Sequence, residues 1–218
     1  MKVVNILDGR KEKSFEQSTK VLVDVFRSTS TMPIILIRGA ERIIPTSSIS
    51  EARELKRKNP EFLVVGERYG MKVPGFDMNN SPSDAMKAHL EGKTVIFTST
   101  NGTKVLKKIY LTGKVYVSSF VNFTSTYNKI RDLDRVDIIV SNRPDGPADE
   151  DYIYAGFLRD WLEGRNPPFE DAADKIRNSK GSTRLKLMGA KKDIEASLEM
   201  DYCKKAIIFQ EPYIITEE

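Results

Sequence analysis

The chain has very little of two residues on which many hydrolases depend: its 218 residues include one histidine and one cysteine. A Ser-His-Asp triad would have to use His89, which falls at the C-terminal end of a predicted helix. A cysteine-dependent phosphatase would need an arginine at the position that Phe209 occupies after Cys203. The same counts exclude a disulfide framework and a zinc site built from histidine and cysteine ligands.

Long hydrophobic runs are also absent, since apolar segments such as residues 34–37 are far too short to cross a bilayer. The first residues have no signal-peptide layout, so we expect a cytoplasmic protein without membrane attachment. The net charge of +4 and the pI near 9.0 are mild. We expect the basic clusters at residues 53–58, 104–108 and 186–192 to be solvated helix faces rather than a nucleic-acid surface. A basic balance also suits a small polyanionic substrate.

Short apolar runs alternate with helical patterns along the whole chain. The runs predict strands at residues 3–7, 21–26, 42–45, 62–65, 94–97, 115–118, 136–141 and 206–209. Helical patterns start near residues 34, 49, 82, 104, 123, 152, 171 and 193. This alternation predicts an α/β fold, a layered α/β/α arrangement with a mainly parallel or mixed central sheet. We expect residues 1–218 to form a single domain, with two closely packed lobes (1–110 and 111–218) as the alternative.

Polar residues follow several of the predicted strands. Asp24 ends a buried apolar run, and Arg27 and four hydroxyl side chains come next. Asp24 is either a cap or a partner of Arg27, or else a carboxylate that projects into a site. We favour the site, because a buried charge needs a partner or a purpose. The segments 24–31, 66–80, 98–103 and 142–151 are then expected to share one edge of the sheet.

The segment 66–80 is dense with charged and amide side chains between glycines and prolines: Glu67, Arg68, Lys72, Asp77 and Asn80. It ends at a helix start where residues 81–84 form a capping pattern. Such a segment is either a solvated connection or a functional loop. Its glycines and prolines restrict the shape of the loop, which favours a functional role.

The segment 98–103, TSTNGT, connects a strand to a helix through small polar residues. This arrangement can direct backbone N–H groups and hydroxyls at an anion, although it lacks the spacing of a P-loop. An ordinary capped turn is the alternative reading.

After histidine and cysteine chemistry are excluded, oxygen chemistry remains. The candidate carboxylates are Asp24, Glu67, Asp77, Glu150 and Asp151. Glu150 and Asp151 could instead be a helix cap favoured by the macrodipole. Carboxylates of this kind bind Mg²⁺, and nearby cations hold phosphate oxygens, which is most of what phosphoryl transfer requires. A haloacid-dehalogenase-type phosphatase is disfavoured because Asp24-Val25-Phe26 lacks a second aspartate.

Four segments together resemble a known family. They are VDVFRSTST (23–31), GERYGMKVPGFDMNNSP (66–82), TSTNGT (98–103) and EDYIYAG (150–156). The chain resembles the 2-phosphosulfolactate phosphatases, enzymes linked to coenzyme M biosynthesis. The resemblance implies an α/β enzyme that uses Mg²⁺ to hydrolyse 2-phospho-3-sulfolactate to 3-sulfolactate and phosphate.

The resemblance also implies roles for individual residues. The predicted metal ligands are Asp24, Glu67, Glu150 and Asp151, and the predicted catalytic residues are Asp24, Arg27 and Asp77. The predicted substrate-binding residues are Ser28, Thr29, Arg68, Lys72, Asn80, Thr100, Asn101, Gly102 and Thr103. Whether water attacks directly or Asp24 forms an aspartyl-phosphate is open at this point.

The chain departs from the family pattern at Ser28, Asn79 and residues 142–149, and the last of these departures concerns the substrate more than the phosphatase chemistry. The alternatives are therefore a phosphatase for another small phosphorylated carboxylic acid, or a non-catalytic basic module that binds a ligand or RNA. We also expect a homodimer, since two-fold symmetric homodimers are the commonest oligomers of soluble proteins.

Overall fold

The structure, a computed structural model, describes residues 2–217, which contain ten strands and nine α-helices. The strands are β1 (Val3–Asp8), β2 (Thr19–Val23), β3 (Arg42–Thr46), β4 (Leu63–Arg68), β5 (Met71–Lys72), β6 (Thr94–Thr98), β7 (Val115–Val117), β8 (Arg135–Val140), β9 (Ile207–Gln210) and β10 (Tyr213–Thr216). The helices are α1 (Ser28–Ile37), α2 (Ile49–Lys58), α3 (Pro82–Ala85), α4 (Gly102–Ile109), α5 (Phe123–Ile130), α6 (Asp149–Leu162), α7 (Phe169–Arg177), α8 (Lys180–Leu187) and α9 (Lys191–Ser197).

All ten strands belong to one mixed sheet in the order β1-β8-β2-β7-β9-β10-β3-β6-β4-β5. Strands β1, β8, β2 and β7 are mutually parallel, and so are β3, β6 and β4. The antiparallel hairpin β9–β10 joins these two groups by pairing with β7 on one side and β3 on the other. The three antiparallel pairings reverse the strand direction, so the two parallel groups run in opposite directions.

The sheet bends so that its two halves face each other across α1 and α4. One apolar cluster contains Leu22 of β2 and Phe97 of β6 together with residues of both helices. The opposite face of β2 and β8 carries Val21 and Ile138, which pack with α5 to α9 in a second cluster. A smaller third cluster lies under α2. The layered α/β prediction is confirmed, and the division into one domain or two lobes stays a prediction.

This bend explains how polar residues after distant strands come together. The sequence predicts that they share one edge of the sheet, but the ends of β2 and β6 belong to groups that run in opposite directions. The two ends nevertheless meet, since the backbone N–H of Gly102 donates a hydrogen bond of 2.9 Å to Asp24. The site is therefore assembled by curvature of the sheet.

Several predicted elements differ from the observed ones. The segment 24–31 is predicted as a loop, but α1 begins at Ser28; Ser30 and Thr31 donate their hydroxyl groups to carbonyls of the preceding turn, which lets polar residues enter a buried helix. The strand predicted to break at Gly66 continues to Arg68 and turns into β5. The helix expected over residues 82–90 is the short α3. Helix α8 and strands β5 and β10 have no counterpart in the sequence prediction.

Replacing Gly66 by alanine is expected to destabilise the fold by about 1–3 kcal/mol. A Cβ atom there would lie 2.5 Å from the carbonyl oxygen of Thr98 on the paired strand β6, whose backbone cannot yield without loss of pairing. Urea unfolding measures the loss. Gly156→Ala in α6 is the matched control, because nothing lies within 4 Å of its Cβ position, and it should be neutral or stabilising. Equal losses in the two variants would contradict this explanation.

Candidate active site

A cavity of about 200 Å³ opens where the ends of β2, β4 and β6 approach α8. Seven of the predicted site residues contribute to its wall: Asp24, Arg27, Ser28, Glu67, Asn80, Thr100 and Asn101. Other side chains in the wall include Tyr69, Arg143, Asp145, Arg184 and Met188. The structure therefore brings together residues from all four of the strand-end segments that the sequence singles out.

Asp24 is the most deeply placed carboxylate of this wall, with 4% of the residue exposed. Its Oδ2 accepts hydrogen bonds from the hydroxyl of Ser28 at 2.7 Å and from the N–H of Gly102 at 2.9 Å. The pKa of Asp24 is raised to about 6, mainly by burial and also by the charges of Glu67 and Glu150, while the hydrogen bonds from Ser28 and Gly102 oppose this rise. The negative charge of the ionised Asp24 is therefore only partly compensated by the surrounding protein groups.

The turn around Asp24 is fixed by Thr29. The backbone N–H of Asp24 donates to Thr29 Oγ1 at 3.0 Å, and the N–H of Thr29 donates to the carbonyl of Asp24 at 2.9 Å. Asn80 reaches the same place from the start of α3, where its Nδ2 donates to Ser28 Oγ at 3.3 Å. Thr29 is fully buried, and it orients the carboxylate of Asp24 through the backbone.

Glu67 connects the end of β4 to the TSTNGT segment. Its Oε1 accepts from the N–H of Thr100 at 2.5 Å, and its Oε2 accepts from the Thr100 hydroxyl at 2.9 Å and the N–H of Gly70 at 2.7 Å. Both oxygens are engaged, so Glu67 holds two loops together at the pocket. The side chain of Thr103 bonds within the same turn, where its Oγ1 accepts from the N–H of Ser99 at 3.1 Å.

Arg27 is almost completely buried and is held at both ends of its guanidinium group. Nη1 donates to Asp193 Oδ2 at 2.7 Å, and Nη2 donates to the carbonyl of Gly70 at 2.6 Å. Asp193 also accepts hydrogen bonds from the hydroxyls of Ser81 and Ser83, each at 2.6 Å. Arg27 therefore enters the pocket in one fixed orientation, with much of its charge balanced by a carboxylate from α9.

Glu150 and Asp151 lie at the start of α6, behind the pocket wall. The two oxygens of Asp151 accept from the N–H groups of Val25 at 2.8 Å and Asn142 at 3.2 Å, so Asp151 ties α6 to the end of β2. Burial raises the pKa of Asp151 well above its usual value, and the charges of Asp24 and Glu150 add to this effect. Glu150 pairs through Oε1 with Arg143.

Eight of the fifteen predicted site residues do not line this cavity, and three of these eight, Arg68, Lys72 and Asp77, make their contacts elsewhere. Arg68 turns back onto the sheet, where it donates to the carbonyl of Glu67 at 2.6 Å and to Thr98 Oγ1 at 2.9 Å. Lys72 and Asp77 line a separate open groove. Asp77 accepts from the N–H of Val64 at 2.7 Å, which gives it a structural contact there. Their predicted catalytic and substrate roles stay predictions.

Three residues of the site have no assigned role in the sequence analysis: Arg143, Arg184 and Asp193. Arg143 falls in the segment 142–151, which the sequence marks as a strand-end loop. Its place directly after a predicted strand could therefore have identified it as a site residue. Arg184 lies on α8, which is not predicted, and Asp193 lies far along the chain at a helix start. A rule that buried arginines need carboxylate partners could have prompted a search for Asp193, but could not have chosen it.

The donor atoms near Asp24 are compatible with a Mg²⁺ ion that takes only a few of its ligands from the protein. Within residues 2–217 no group of three or more His, Cys, Asp or Glu side chains could hold a metal ion. Mg²⁺ often takes only one or two carboxylates, and water and substrate phosphates complete its coordination. Asn80 Oδ1 and Glu150 Oε2 are buried oxygens without a hydrogen-bond partner. Asp24 and Asn80, which share the cavity wall, fit such an ion. Ligand roles for Glu67, Glu150 and Asp151 stay predictions.

No helix in the part of the chain that the structure describes is both long and apolar enough to span a membrane.

Comparisons with known proteins agree with one another. A family model described as 2-phosphosulpholactate phosphatase matches residues 4–212. Relatives from Thermoplasma volcanium and Thermoplasma acidophilum are each 42% identical to the chain, over 91% and 92% of its length and 92% and 89% of theirs. A relative from Caldicellulosiruptor saccharolyticus is 33% identical over 86% of the chain and 87% of its own length. All three are named "probable 2-phosphosulfolactate phosphatase".

The fold and the pocket, with buried carboxylates and arginines gathered at strand ends, are those of an α/β enzyme. The chain belongs to the 2-phosphosulfolactate phosphatase family. It is therefore a phosphatase, a hydrolase of phosphate monoesters, and the resemblance inferred from the four sequence segments is confirmed.

Proposed function

We propose that the enzyme hydrolyses 2-phospho-3-sulfolactate to 3-sulfolactate and phosphate, with Mg²⁺, in the cavity at Asp24. The observation that carries the proposal is the pairing of one incompletely compensated carboxylate, Asp24, with a wall that contains Arg27, Arg143 and Arg184. Positive side chains around a buried carboxylate suit a substrate with several negative charges that also brings a metal ion.

The phosphate group belongs at the buried end of the cavity. Helices α1 and α4 both begin there, at Ser28 and Gly102, and helix N-termini favour negative charge. Asn101 lies at the N-cap of α4 and in the cavity wall, so the TSTNGT turn can donate to phosphate oxygens. The Ser28 hydroxyl, which already donates to Asp24, keeps the carboxylate oriented toward this end.

Asp24 and Asn80 would hold Mg²⁺, which when bound supplies the positive charge that offsets the phosphate oxygens. The chain's own residues do the rest of the work. Both hydrogen bonds to the Asp24 side chain go to Oδ2, so Oδ1 has no hydrogen bond among the described residues and remains available for chemistry. Arg27, locked by Asp193, presents a fixed positive charge in the wall of the same cavity. Asp24 then acts either on an attacking water or directly on phosphorus, the two routes that the sequence leaves open.

A substrate and metal panel tests this function. Phosphate release is measured from 2-phospho-3-sulfolactate, 2-phospholactate and phosphoglycolate, each with Mg²⁺ and with EDTA. We expect release that depends on Mg²⁺ and is fastest for the sulfonated ester. Release from the two controls alone would keep the phosphatase and reject this substrate. Equal rates in EDTA would reject the metal requirement, and no release from any ester would reject the proposed function.

Three further expectations from the sequence stay predictions alongside this proposal: a role in coenzyme M biosynthesis, a cytoplasmic location and a homodimer. Size-exclusion chromatography with light scattering tests the last of these.

A further inference from the structure

The three arginines in the described part of the cavity wall differ in how firmly they are held. Arg27 and Arg143 are paired with carboxylates, Asp193 and Glu150, that are nearly or fully buried. The side chain of Arg184 is 42% exposed, and its nearest carboxylate is Asp145 at 3.7 Å. The side chain of Asp145 is itself 73% exposed. Exposed pairs of this kind contribute little to stability, so Arg184 is the arginine of this wall that can exchange its partner at small cost.

The positions of these arginines correspond to different parts of the substrate. Arg27 is buried in the wall that also contains Asp24, where the phosphate belongs, whereas Arg184 projects from α8 at the half-exposed wall. In 2-phospho-3-sulfolactate the sulfonate stands one carbon further from the ester oxygen than the carboxylate does. The acid group that reaches furthest from the phosphate is therefore the sulfonate, and a planar guanidinium can donate two hydrogen bonds to such an oxyanion.

We propose that Arg184 is the specificity-determining residue of this enzyme, and that it binds the sulfonate of the substrate in exchange for Asp145. This inference rests on the proposed function above. In the ligand-free protein Asp145 holds Arg184 over the cavity, and the segment that carries Asp145 is braced by hydrogen bonds between the backbones of Arg143 and Gly146. When the sulfonate arrives, Arg184 changes partner and Asp145 turns to solvent.

Helix α8 has a second point of contact with the site that keeps Arg184 in range. Gly181 lies in the cavity wall so close to the buried pair of Arg143 and Glu150 that a Cβ atom would lie 2.6 Å from Arg143 Nη2 and 2.4 Å from Glu150 Oε2. A larger residue at that position would displace either this buried pair or the helix. The absence of a side chain lets α8 approach closely enough for Arg184 to reach the cavity.

The test compares two esters that differ only in the sulfonate, 2-phospho-3-sulfolactate and 2-phospholactate. Arg184→Gln should raise KM for the sulfonated ester by about 10- to 100-fold, the range of a hydrogen-bonded charge pair, with little change in kcat. KM for 2-phospholactate should change by less than about threefold, within the effect of an exposed charge. Asp145→Asn should lower KM for the sulfonated ester by about two- to threefold, because it removes the competing partner.

Lys186→Gln is the matched control. It removes one positive charge from the same helix, and its Nζ donates to the carbonyl of Arg177 outside the cavity wall. It should leave both KM values unchanged. Arg184→Gln would overturn the inference if it raised KM equally for the two esters, as would be expected of a general electrostatic or structural effect, or if it changed neither.

A binding measurement separates this inference from the proposed function. Isothermal titration with 3-sulfolactate and with lactate needs no turnover, so it decides the question even if the wild-type enzyme hydrolyses neither ester. Arg184→Gln should weaken the binding of 3-sulfolactate by about tenfold or more. Unchanged binding in this variant, or no binding of 3-sulfolactate to the wild-type protein, would reject the role of Arg184.

Discussion

Replacing Asp24 by asparagine should reduce phosphate release by at least about 10³-fold and at the same time stabilise the metal-free protein. The loss of activity follows from removing the one buried carboxylate of the cavity wall that keeps an oxygen free of hydrogen bonds among the described residues. The gain in stability follows from burial, since the charge of Asp24 lies near Glu67 and Glu150 with no cation paired to it. An asparagine of the same shape can still accept from Ser28 and Gly102.

The sign of the stability effect depends on pH. The pKa of Asp24 in the folded protein is raised to about 6, above its unfolded value, so ionisation of this group disfavours the fold. Stability is therefore lost as pH rises from about 4 through about 6, up to roughly 3 kcal/mol for this shift. Asp24→Asn should remove that loss, so the variant should exceed wild type above pH 6 and match it below pH 4.

Thermal and urea unfolding in EDTA between pH 3 and pH 8 measure this effect, alongside phosphate release with Mg²⁺. Asp132→Asn is the control, because its side chain is 89% exposed, and it should change stability by less than about 0.5 kcal/mol at every pH. A variant at position 24 that retained full turnover would reject both mechanistic routes. A variant that was less stable than wild type at pH 8 would show that the carboxylate is compensated in the fold.

Replacing Asp193 by alanine should destabilise the protein by about 3–5 kcal/mol, the largest stability loss expected at this site. Asp193 is buried and accepts from Arg27 Nη1 at 2.7 Å, from the hydroxyls of Ser81 and Ser83 at 2.6 Å, and from the N–H of Ser83 at 3.2 Å. Its removal leaves a buried guanidinium without a counter-charge. Activity should fall as well, because Arg27 loses the contact that fixes it in the cavity wall.

Urea unfolding measures this loss, with Asp174→Ala as the matched control. Asp174 pairs with Arg177 at 3.0 Å on the surface of α7, where both side chains are substantially exposed, and its removal should cost less than about 1 kcal/mol. Asp193→Asn should fall between the two, since it keeps acceptor capacity for the serines but loses the charge. Similar losses for Asp193→Ala and Asp174→Ala would contradict the role assigned to this buried pair.

The strands that carry the site could be predicted because they are short apolar runs that end at polar residues. Asp24, Glu67 and Thr100 follow or end such runs, and the structure joins them in one cavity. The rest depended on tertiary contacts. Arg184 could not be placed, since α8 has little apolar periodicity and its start is marked only by Ser179, whose hydroxyl accepts from the N–H of Ser182.

The segment 66–80 shows a second limit of sequence reasoning. Its charged residues look like one functional loop, but Glu67 and Lys72 pair across a tight hairpin. The segment then returns along the sheet, so Lys72 and Asp77 reach a different groove from Glu67. Proximity in sequence, and even pairing across a hairpin, therefore does not decide which of two cavities a side chain lines. Likewise, the meeting of β2 and β6 ends depends on curvature of the whole sheet, which no local pattern encodes.

A crystal structure of the Asp24→Asn protein with Mg²⁺ and unhydrolysed 2-phospho-3-sulfolactate would test most directly whether the substrate binds in the cavity at position 24. We expect the phosphate to lie between position 24, Ser28 and Gly102, and the sulfonate to be bound by Arg184. This expectation would be contradicted if the ester bound instead in the groove between Lys72 and Asp77 and left the cavity at position 24 empty.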